Sequence, residues 1–427
     1  MQQNNTILIK GGRVISPKNR LNGVIDVLIA NGTIEKTGKA LNIAADRVVD
    51  AKGMYVVPGL IDMHCHFREP GFEEKETIQT GAQAAAAGGV TTVAVMPNTN
   101  PVVDNETVVK FIMDRARDAA IRVLPIGAIS HNQEGAVLSE IGLMRRAGIV
   151  AVSEDGKSVM DSGLMKNAMR YCTMDDTLII SHCEDPGLSK GGVMNEGRIS
   201  SMLGFKGIPK IAEEIMVARD IMIARDTGAR IHIAHVSTKG AVELIRAAKK
   251  DKMRITAETA PHYFTLTDDI IVNFNPNHKM NPPLRNKEDV EAIIKALADG
   301  TIDAIATDHA PHTIDDKDME FDQTPNGVVG LETSVGVTLT HLVHKKKITI
   351  ERMVELMSVN PAAILKIDHG QIAQGKRADI TIIDPSKPWT VDSKKFRSLG
   401  KNTPFEGMKL RGKAVVTIVN GNVVYEE

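Results

Sequence analysis

The residues best suited to chemistry begin with a pair, His64 and His66, in the run Val56-Val57-Pro58-Gly59-Leu60-Ile61-Asp62-Met63-His64-Cys65-His66. A Pro-Gly break followed by an apolar stretch predicts a short buried strand over residues 60–66. Side chains alternate along a strand, so His64 and His66 face one side, and two imidazoles there can hold one metal ion. Similar runs end in similar groups. Ile149-Val150-Ala151-Val152-Ser153-Glu154-Asp155 ends in acid. Thr177-Leu178-Ile179-Ile180-Ser181-His182 and Arg230-Ile231-His232-Ile233-Ala234-His235 end in histidine, and Asp303-Ala304-Ile305-Ala306-Thr307-Asp308 ends in aspartate. Five strand-like segments thus each deliver a metal-competent or acid–base side chain at the carboxyl end.

Four histidines and two aspartates exceed the needs of one catalytic zinc, which normally takes three protein ligands and a water. Divided over two metals they fit. His64 and His66 would hold the first ion and His182 and His235 the second, with Asp155 bridging and a hydroxide shared between them. Paired metals lower the pKa of bridging water and polarise a carbonyl. Asp308 is then both ligand and general base, taking a proton from the attacking hydroxide and passing it to a departing nitrogen. Spacing alone defines a hydrolytic metal site and no particular substrate.

Such a cluster needs several strands whose carboxyl ends converge. That is how a (β/α)8 barrel builds its site, at the C-terminal face of the strands. The remaining strands are predicted over residues 89–97, 122–129 and 254–259, and helical patterns such as 211–225 and 241–250 lie between strands. Near-continuous apolar strands alternating with helices argue for a parallel sheet.

The 427 residues exceed an ordinary barrel by more than about a hundred, and the excess lies at both ends. Residues 1 to about 55 read as short strands and turns, and the style resumes from about 370. Asn420-Gly421 is a hairpin turn pair. We expect one small composite β-sandwich from residues 1–55 and 369–427, with the barrel, residues 56–368, inserted between them. The formal net charge of −1 and the lack of a basic patch with interleaved aromatics leave no footprint for nucleic acid. No apolar stretch suits a membrane span, and the polar start Met1-Gln2-Gln3-Asn4-Asn5 is unlike a secretory signal. Three cysteines cannot form a disulfide framework. Cys65 and Cys183 alternate away from the site and read as small core residues. The expected compartment is the cytoplasm. Lys345-Lys346-Lys347 reads as a solvated helix end or turn.

Longer motifs carry a resemblance over essentially the whole chain. They are the run from Pro58 through Phe67-Arg68-Glu69-Pro70-Gly71, then Met96-Pro97-Asn98-Thr99, Ala260-Pro261-His262, Met280-Asn281-Pro282-Pro283-Leu284-Arg285, and Ala306-Thr307-Asp308-His309-Ala310-Pro311-His312. The chain resembles the amidohydrolase superfamily and, within it, the bacterial class I dihydroorotases. The resemblance implies reversible interconversion of N-carbamoyl-L-aspartate and L-dihydroorotate with loss or gain of water, in pyrimidine biosynthesis. It also implies two Zn2+ ions and a homodimer, and it leaves room for association with aspartate transcarbamoylase.

Dihydroorotate carries a carboxylate, and a guanidinium such as Arg68 can clamp one through two parallel hydrogen bonds. By resemblance Arg68, Asn98 and His312 hold that carboxylate, while Asn281 meets the ring amide. His232 and His309 alternate away from the site and are assigned to packing or to backing other groups; His262 receives no role. Hydantoinases and allantoinases bridge their metals with a carbamylated lysine at the end of strand four. Here the strand ends Ser153-Glu154-Asp155-Gly156, with no lysine before Lys157, and Glu154 stands where the class usually has aspartate. Asp155 is the acid we expect at the metals. The competing readings are another cyclic amidase, namely a dihydropyrimidinase, hydantoinase or allantoinase, and a catalytically silent scaffold of aspartate transcarbamoylase. The scaffold reading predicts lost ligands, whereas all six are kept. The long acidic loop over residues 309–326 is expected either as a lid or as surface disorder.

Overall fold

The computed structural model describes residues 6–427. Residues 1–5, which hold the polar start and the first residues of the expected β unit, lie outside the described residues. The chain is α/β. Parallel strands follow one another in chain order: Leu60–Cys65, Val90–Val95, Arg122–Pro125 with Gly127–Ala128, Ala151–Ser153, Leu178–Ser181, Ile231–Ile233, Ile255–Thr259 and Ala304–Ile305. Each pairs in parallel with the next, the third interrupted at Ile126. The series returns on itself: Cys65 bridges His309 in parallel, and His66 N–H donates to His309 O at 2.8 Å.

These strands are covered on both faces, which is why their sequences are apolar runs rather than alternations. Leu60–Cys65 and Val90–Val95 are buried at every residue. Helices supply the outer cover. Lys239–Lys250 turns Ala241, Val242, Ile245 and Ala248 inward, a helical stripe started by a Thr238 cap on Ala241 N–H. Gly59, just before the first strand, sits so close to Thr91 that a Cβ would meet Thr91 Oγ1 at 2.2 Å. No side chain fits there, and the strand can start only from glycine.

Strands from the two ends of the chain join. Ile380–Thr390 pairs antiparallel with Tyr55–Pro58 on one side and with Lys409–Val419 on the other. That six-stranded sheet also holds Arg13–Ser16, Leu21–Val24 and Asn422–Glu426. A four-stranded sheet of Thr33–Gly38, Asp26–Ala30, Thr6–Lys10 and Arg47–Asp50 packs against it. Their shared core draws Ile7, Ile9 and Val27 from one end and Ile380, Ile382 and Ile418 from the other. Asn420 and Gly421 both adopt positive φ, 49° and 74°, joining Val419 to Asn422. This is the backbone an Asn-Gly hairpin turn requires.

Residues 309–326 are folded. They carry the helix Ile314–Lys317, capped by Thr313. Lys317 is buried, and its Nζ donates to Pro325 O at 2.7 Å and Pro276 O at 3.3 Å. Lys279 Nζ donates to Asp322 O at 2.8 Å. Between the fifth and sixth parallel strands stand elements too short for periodicity to reveal: Pro186–Ser189, Arg198–Leu203, and a two-stranded ribbon of Met194–Asn195 with Gly207–Ile208. Among the described residues no helix is long and apolar enough to cross a membrane. The three cysteines are buried and free.

Candidate metal centre

The carboxyl ends of the parallel strands bring together six side chains. His64, His66 and Asp155 form one group that could hold a metal ion, and Asp155, His182 and His235 form a second. Asp155 belongs to both. Its Oδ1 lies 3.2 Å from His64 Nε2, 3.5 Å from His235 Nε2 and 3.6 Å from His182 Nδ1, while its Oδ2 lies 3.3 Å from His66 Nε2. Asp308 Oδ1 lies 3.2 Å from His66 Nε2 and 3.5 Å from His64 Nε2. All six are buried.

Glu154 turns the other way. Its carboxylate accepts from the N–H groups of Ile129 and Ser130, at 3.0 and 3.1 Å, and from the Ser130 hydroxyl. Alternation along Ala151–Ser153 therefore sends one acid to the preceding strand's end and the other to the histidines. Lys157 Nζ donates to Gln133 O at 3.1 Å and takes no part in the cluster.

Three of the four histidines are held by a partner behind them, and the fourth, His235, meets His182 Nδ1 with its Nε2 at 2.8 Å inside the cluster. His64 Nδ1–H donates to Glu258 Oε1 at 2.7 Å, which leaves Nε2 as a lone pair facing the cluster. Glu258 Oε2 also lies 3.3 Å from His232 Nε2, and His232 Nδ1 lies 2.8 Å from Thr256 Oγ1, so His232 stands behind the ligands. His66 Nδ1 faces Asn98 Oδ1 at 2.9 Å, and His182 Nε2 faces Glu184 Oε2 at 3.1 Å. Asp62 ties the first strand to the last: it accepts from Thr307 N–H at 3.1 Å and from His64 N–H at 3.1 Å. Three site residues adopt left-handed φ, Arg68 at 58°, His235 at 31° and Asp308 at 50°. Backbone strain of this kind gathers where side chains must be aimed for function.

The cluster is hungry for positive charge. His64 Nε2 and Asp155 Oδ1 are both buried without a hydrogen-bond partner among the described residues. With Nδ1–H committed to Glu258, two acceptors face one another, and only a cation satisfies both. With protons as the only cations at hand, the same demand falls on the rings. Burial opposes charge on the His182 ring, yet Asp155 and Glu184 hold it up at about 10, and a metal ion would take the place of the proton on Nδ1. Burial likewise opposes ionisation of Asp155, yet His64 and its fellow histidines keep that carboxyl well below the usual range. The donor set of imidazole nitrogens and carboxylate oxygens suits a divalent ion.

The cluster opens onto a cavity of about 150 Å³: His66, Asp155, His182, His235 and Asp308 line it on one side, and Arg68, Asn98, Asn281, Asn326 and Gly327 complete its wall. Burial pushes the Arg68 guanidinium down to about 10, against the pull of Asp308 and Asp155, so it stays charged near neutrality. Its Nε donates to Pro311 O at 3.2 Å. Asn281 Nδ2 donates to Glu184 Oε2 at 2.5 Å. His312 stands behind the wall: its Nε2 donates to Asn326 O at 2.8 Å. Burial and then Arg68 push His312 down to about 3, so the ring is neutral. His309 packs its ring edge against Phe67 and faces Glu76 at 3.4 Å, away from the cavity. His262 is buried against Tyr263, with ring centroids 4.1 Å apart, and burial holds it down at about 4.

Sequence reasoning misses Glu258, Glu184 and Asp62. Two of them carry a visible signal. Asp62 stands two residues before His64 and Glu184 two after His182, the spacing that returns a strand side chain to the same face. Glu258 is legible only as a carboxylate inside the strand expected over residues 254–259.

Comparison with known proteins defines the class and then the family. Among solved structures the chain is similar to the L-hydantoinase (dihydropyrimidinase) of Arthrobacter aurescens, with TM-score 0.89 and 27% identity, covering 98% of this chain and 96% of that one. A D-hydantoinase (dihydropyrimidinase) from Thermus sp. matches with TM-score 0.84 and 27% identity, covering 98% of this chain and 95% of that one. Such likenesses, with the histidine–carboxylate cluster at the strand ends, mark the amidohydrolase class. Residues 53–241 match the family model described as dihydro-orotase-like. The dihydroorotase of Syntrophus aciditrophicus is 52% identical over 424 residues, 99% of each chain. That of Acetivibrio thermocellus is 53% identical over 422 residues, again 99% of each. The chain belongs to the dihydroorotase family.

Proposed function

We propose that the chain catalyses the reversible cyclisation of N-carbamoyl-L-aspartate to L-dihydroorotate and water, in pyrimidine biosynthesis. The parallel ring of strands is read as a (β/α)8 barrel, residues 56–368, carried on a β-sandwich built from residues 1–55 and 369–427. One observation carries the substrate assignment: a guanidinium, Arg68, lines the cavity beside the histidine–carboxylate cluster. A cyclic amide with a carboxylate on its ring answers both features, whereas a plain hydantoin or dihydrouracil offers the Arg68 guanidinium no carboxylate.

His64, His66 and Asp155 would hold one divalent ion and Asp155, His182 and His235 the other, taken as two zinc ions, with Asp308 as a further ligand. When bound, the metals supply polarisation of the scissile carbonyl and a water of lowered pKa. The remaining work falls to the chain. Arg68 and Asn98 grip the substrate carboxylate, and His312 joins them when its Nε2–H passes from Asn326 O to the ligand. Asn281 meets the ring. In hydrolysis, Asp308 accepts the proton of the attacking water on its carboxylate and returns it to the ring nitrogen as the C–N bond breaks. In cyclisation the same carboxylate takes the proton from the carbamoyl nitrogen as the C–N bond forms and delivers it to the carboxyl oxygen that departs. Its carboxylate lies 3.2 Å from His66 Nε2 and lines the same cavity, which supports that role.

The test is ring opening of L-dihydroorotate by the purified, zinc-loaded chain beside dihydrouracil and hydantoin. Turnover of dihydroorotate with the other two very poor supports the reading. Equal opening of all three replaces it with a general cyclic amidase, and no turnover of any with metals bound replaces it with a silent scaffold.

A further inference from the structure

Glu184 occupies a position that the reaction as described does not use. It follows the strand Leu178–Ser181, two residues beyond His182, and its Oε2 is shared. His182 Nε2 lies 3.1 Å from that oxygen and Asn281 Nδ2 lies 2.5 Å from it. An ionised carboxylate only accepts hydrogen bonds. Both atoms facing it must therefore be donors, whatever else surrounds them. For His182 this places the proton on Nε2 and directs Nδ1, 3.6 Å from Asp155 Oδ1, toward the cluster. For Asn281 it settles which end of a nearly symmetric amide is turned inward. The NH2 is anchored to Glu184, and Oδ1, which has no protein partner among the described residues, is left as the acceptor that Asn281 brings to the cavity wall.

We propose that Glu184 is a positioning residue serving two sites through one oxygen: it fixes His182 in the tautomer that ligates metal, and it fixes Asn281 so that its Oδ1 accepts a ring N–H of the substrate. The inference rests on the proposed function, because it takes the ligand to be a cyclic amide with N–H groups. It explains why a carboxylate stands here rather than an amide. Glutamine could donate as well as accept, and Asn281 would then be free to turn its NH2 toward the same ring N–H. Sites that pair a substrate N–H with a fixed acceptor lose discrimination when the acceptor can rotate.

The test is a double-mutant cycle of Glu184→Gln and Asn281→Ala on the zinc-loaded full chain, with zinc affinity measured separately by competition with a chelator. Glu184→Gln should weaken zinc binding by about 10- to 100-fold, the usual effect of removing the group behind a ligating histidine. Asn281→Ala should leave zinc binding unchanged. At saturating zinc, each single variant should raise KM for dihydroorotate by about tenfold, with kcat changed much less, the mark of losing binding common to ground and transition states. The double variant should be no worse than Asn281→Ala within about twofold, because Glu184 acts on the ring only through Asn281. Glu184→Asp, which still only accepts, should recover part of both losses. The proposal is overturned if the KM effects multiply independently, or if Glu184→Gln binds zinc as the native chain does. If Glu184→Gln does not fold by circular dichroism, Glu184→Asp and Asn281→Ala decide: a native KM in Asn281→Ala overturns it. Absence of dihydroorotate turnover in the native chain refutes the proposed function instead, and the zinc affinities then still report on the His182 arm.

Discussion

The histidine–carboxylate cluster and the cavity rim beside it are built on opposite plans. Every member of the cluster stands at or just beyond the end of a parallel strand, is buried, and turns a lone pair or charge toward its neighbours. The rim residues Arg68, Asn98, Asn281 and His312 stand on loops, and each already bonds to another protein group: Pro311 O, His66, Glu184 and Asn326 O. Two atoms of the cluster, His64 Nε2 and Asp155 Oδ1, have no hydrogen-bond partner among the described residues and call for a cation. Each rim residue is tied to the protein at one atom and must exchange that partner or offer a spare donor or acceptor. Strand geometry thus fixes the reacting centre rigidly, while recognition is delegated to groups that can adjust.

If that contrast holds, damage to the cluster should destroy turnover and damage to the rim should weaken recognition. The largest effect is expected for Asp308→Asn, which removes the proton carrier while leaving the volume unchanged. Turnover in both directions should fall by about 1,000-fold or more, with the circular dichroism spectrum of the native chain. Near-native turnover by the folded variant would break the comparison at its centre. Chelation should likewise abolish activity, and zinc should restore it. Elemental analysis of reconstituted protein should give two zinc ions per chain; one ion at full activity removes the need for Asp155 to serve both groups.

Arg68→Gln tests the rim. Removing a charge-assisted pair of hydrogen bonds to a substrate carboxylate costs about 3 kcal/mol, or about 100-fold in kcat/KM. Zinc content should not change, since among the described residues the Arg68 side chain bonds to Pro311 O and to no histidine of the cluster. Glu258→Gln, behind the cluster, should show the converse: zinc affinity lower by about 10- to 100-fold, with KM for dihydroorotate near native once zinc is saturating. A variant that shifts both quantities together erases the division between the two regions.

The same contrast decides what can be read from sequence. Period-two alternation predicts on which side of a strand a residue lies, so His64, His66, Asp155, His182, His235 and Asp308 can be gathered on paper. It also puts Glu154 and Asp155 on opposite sides of the strand, while the choice of Asp155 as the acid that meets the histidines comes from the resemblance. The rim is different. That Asn98 faces His66, that Asn281 leans on Glu184 and that His312 is held by Asn326 depend on loops meeting across 32, 97 and 14 residues of chain. No local pattern encodes such meetings. The joining of the two chain ends is legible because both read as short strands and turns and neither piece is large enough to fold well alone. The insertions over residues 183–210 are not, because elements of two to six residues carry too few positions to show a period.

The smallest effect should come from the latch under the rim. Lys317 is buried, and its Nζ donates to Pro325 O, one residue before the cavity-lining Asn326 and Gly327. Burial pushes its ammonium down to about 7 from 10.5, helped by Lys279 nearby. In the unfolded chain the lysine stays charged up to its ordinary value. Between about pH 7 and pH 10 the unfolded state therefore binds more protons at this residue than the folded state does. Stability from Lys317 must rise with pH across that window and be least below pH 7, where a charge is buried in the folded protein. Lys317→Met has no such group. The difference in Tm between native chain and variant should therefore move in favour of the native chain by a few degrees, roughly 2–4 °C, from pH 7 to pH 9. KM for dihydroorotate should rise only a few-fold in the variant, because the wall loosens while Arg68 and the cluster are untouched. A Tm difference that stays flat or moves the other way would mean that the carbonyls around Nζ keep it charged in the fold, and that the rim is fastened by a permanent cation rather than by a neutral amine.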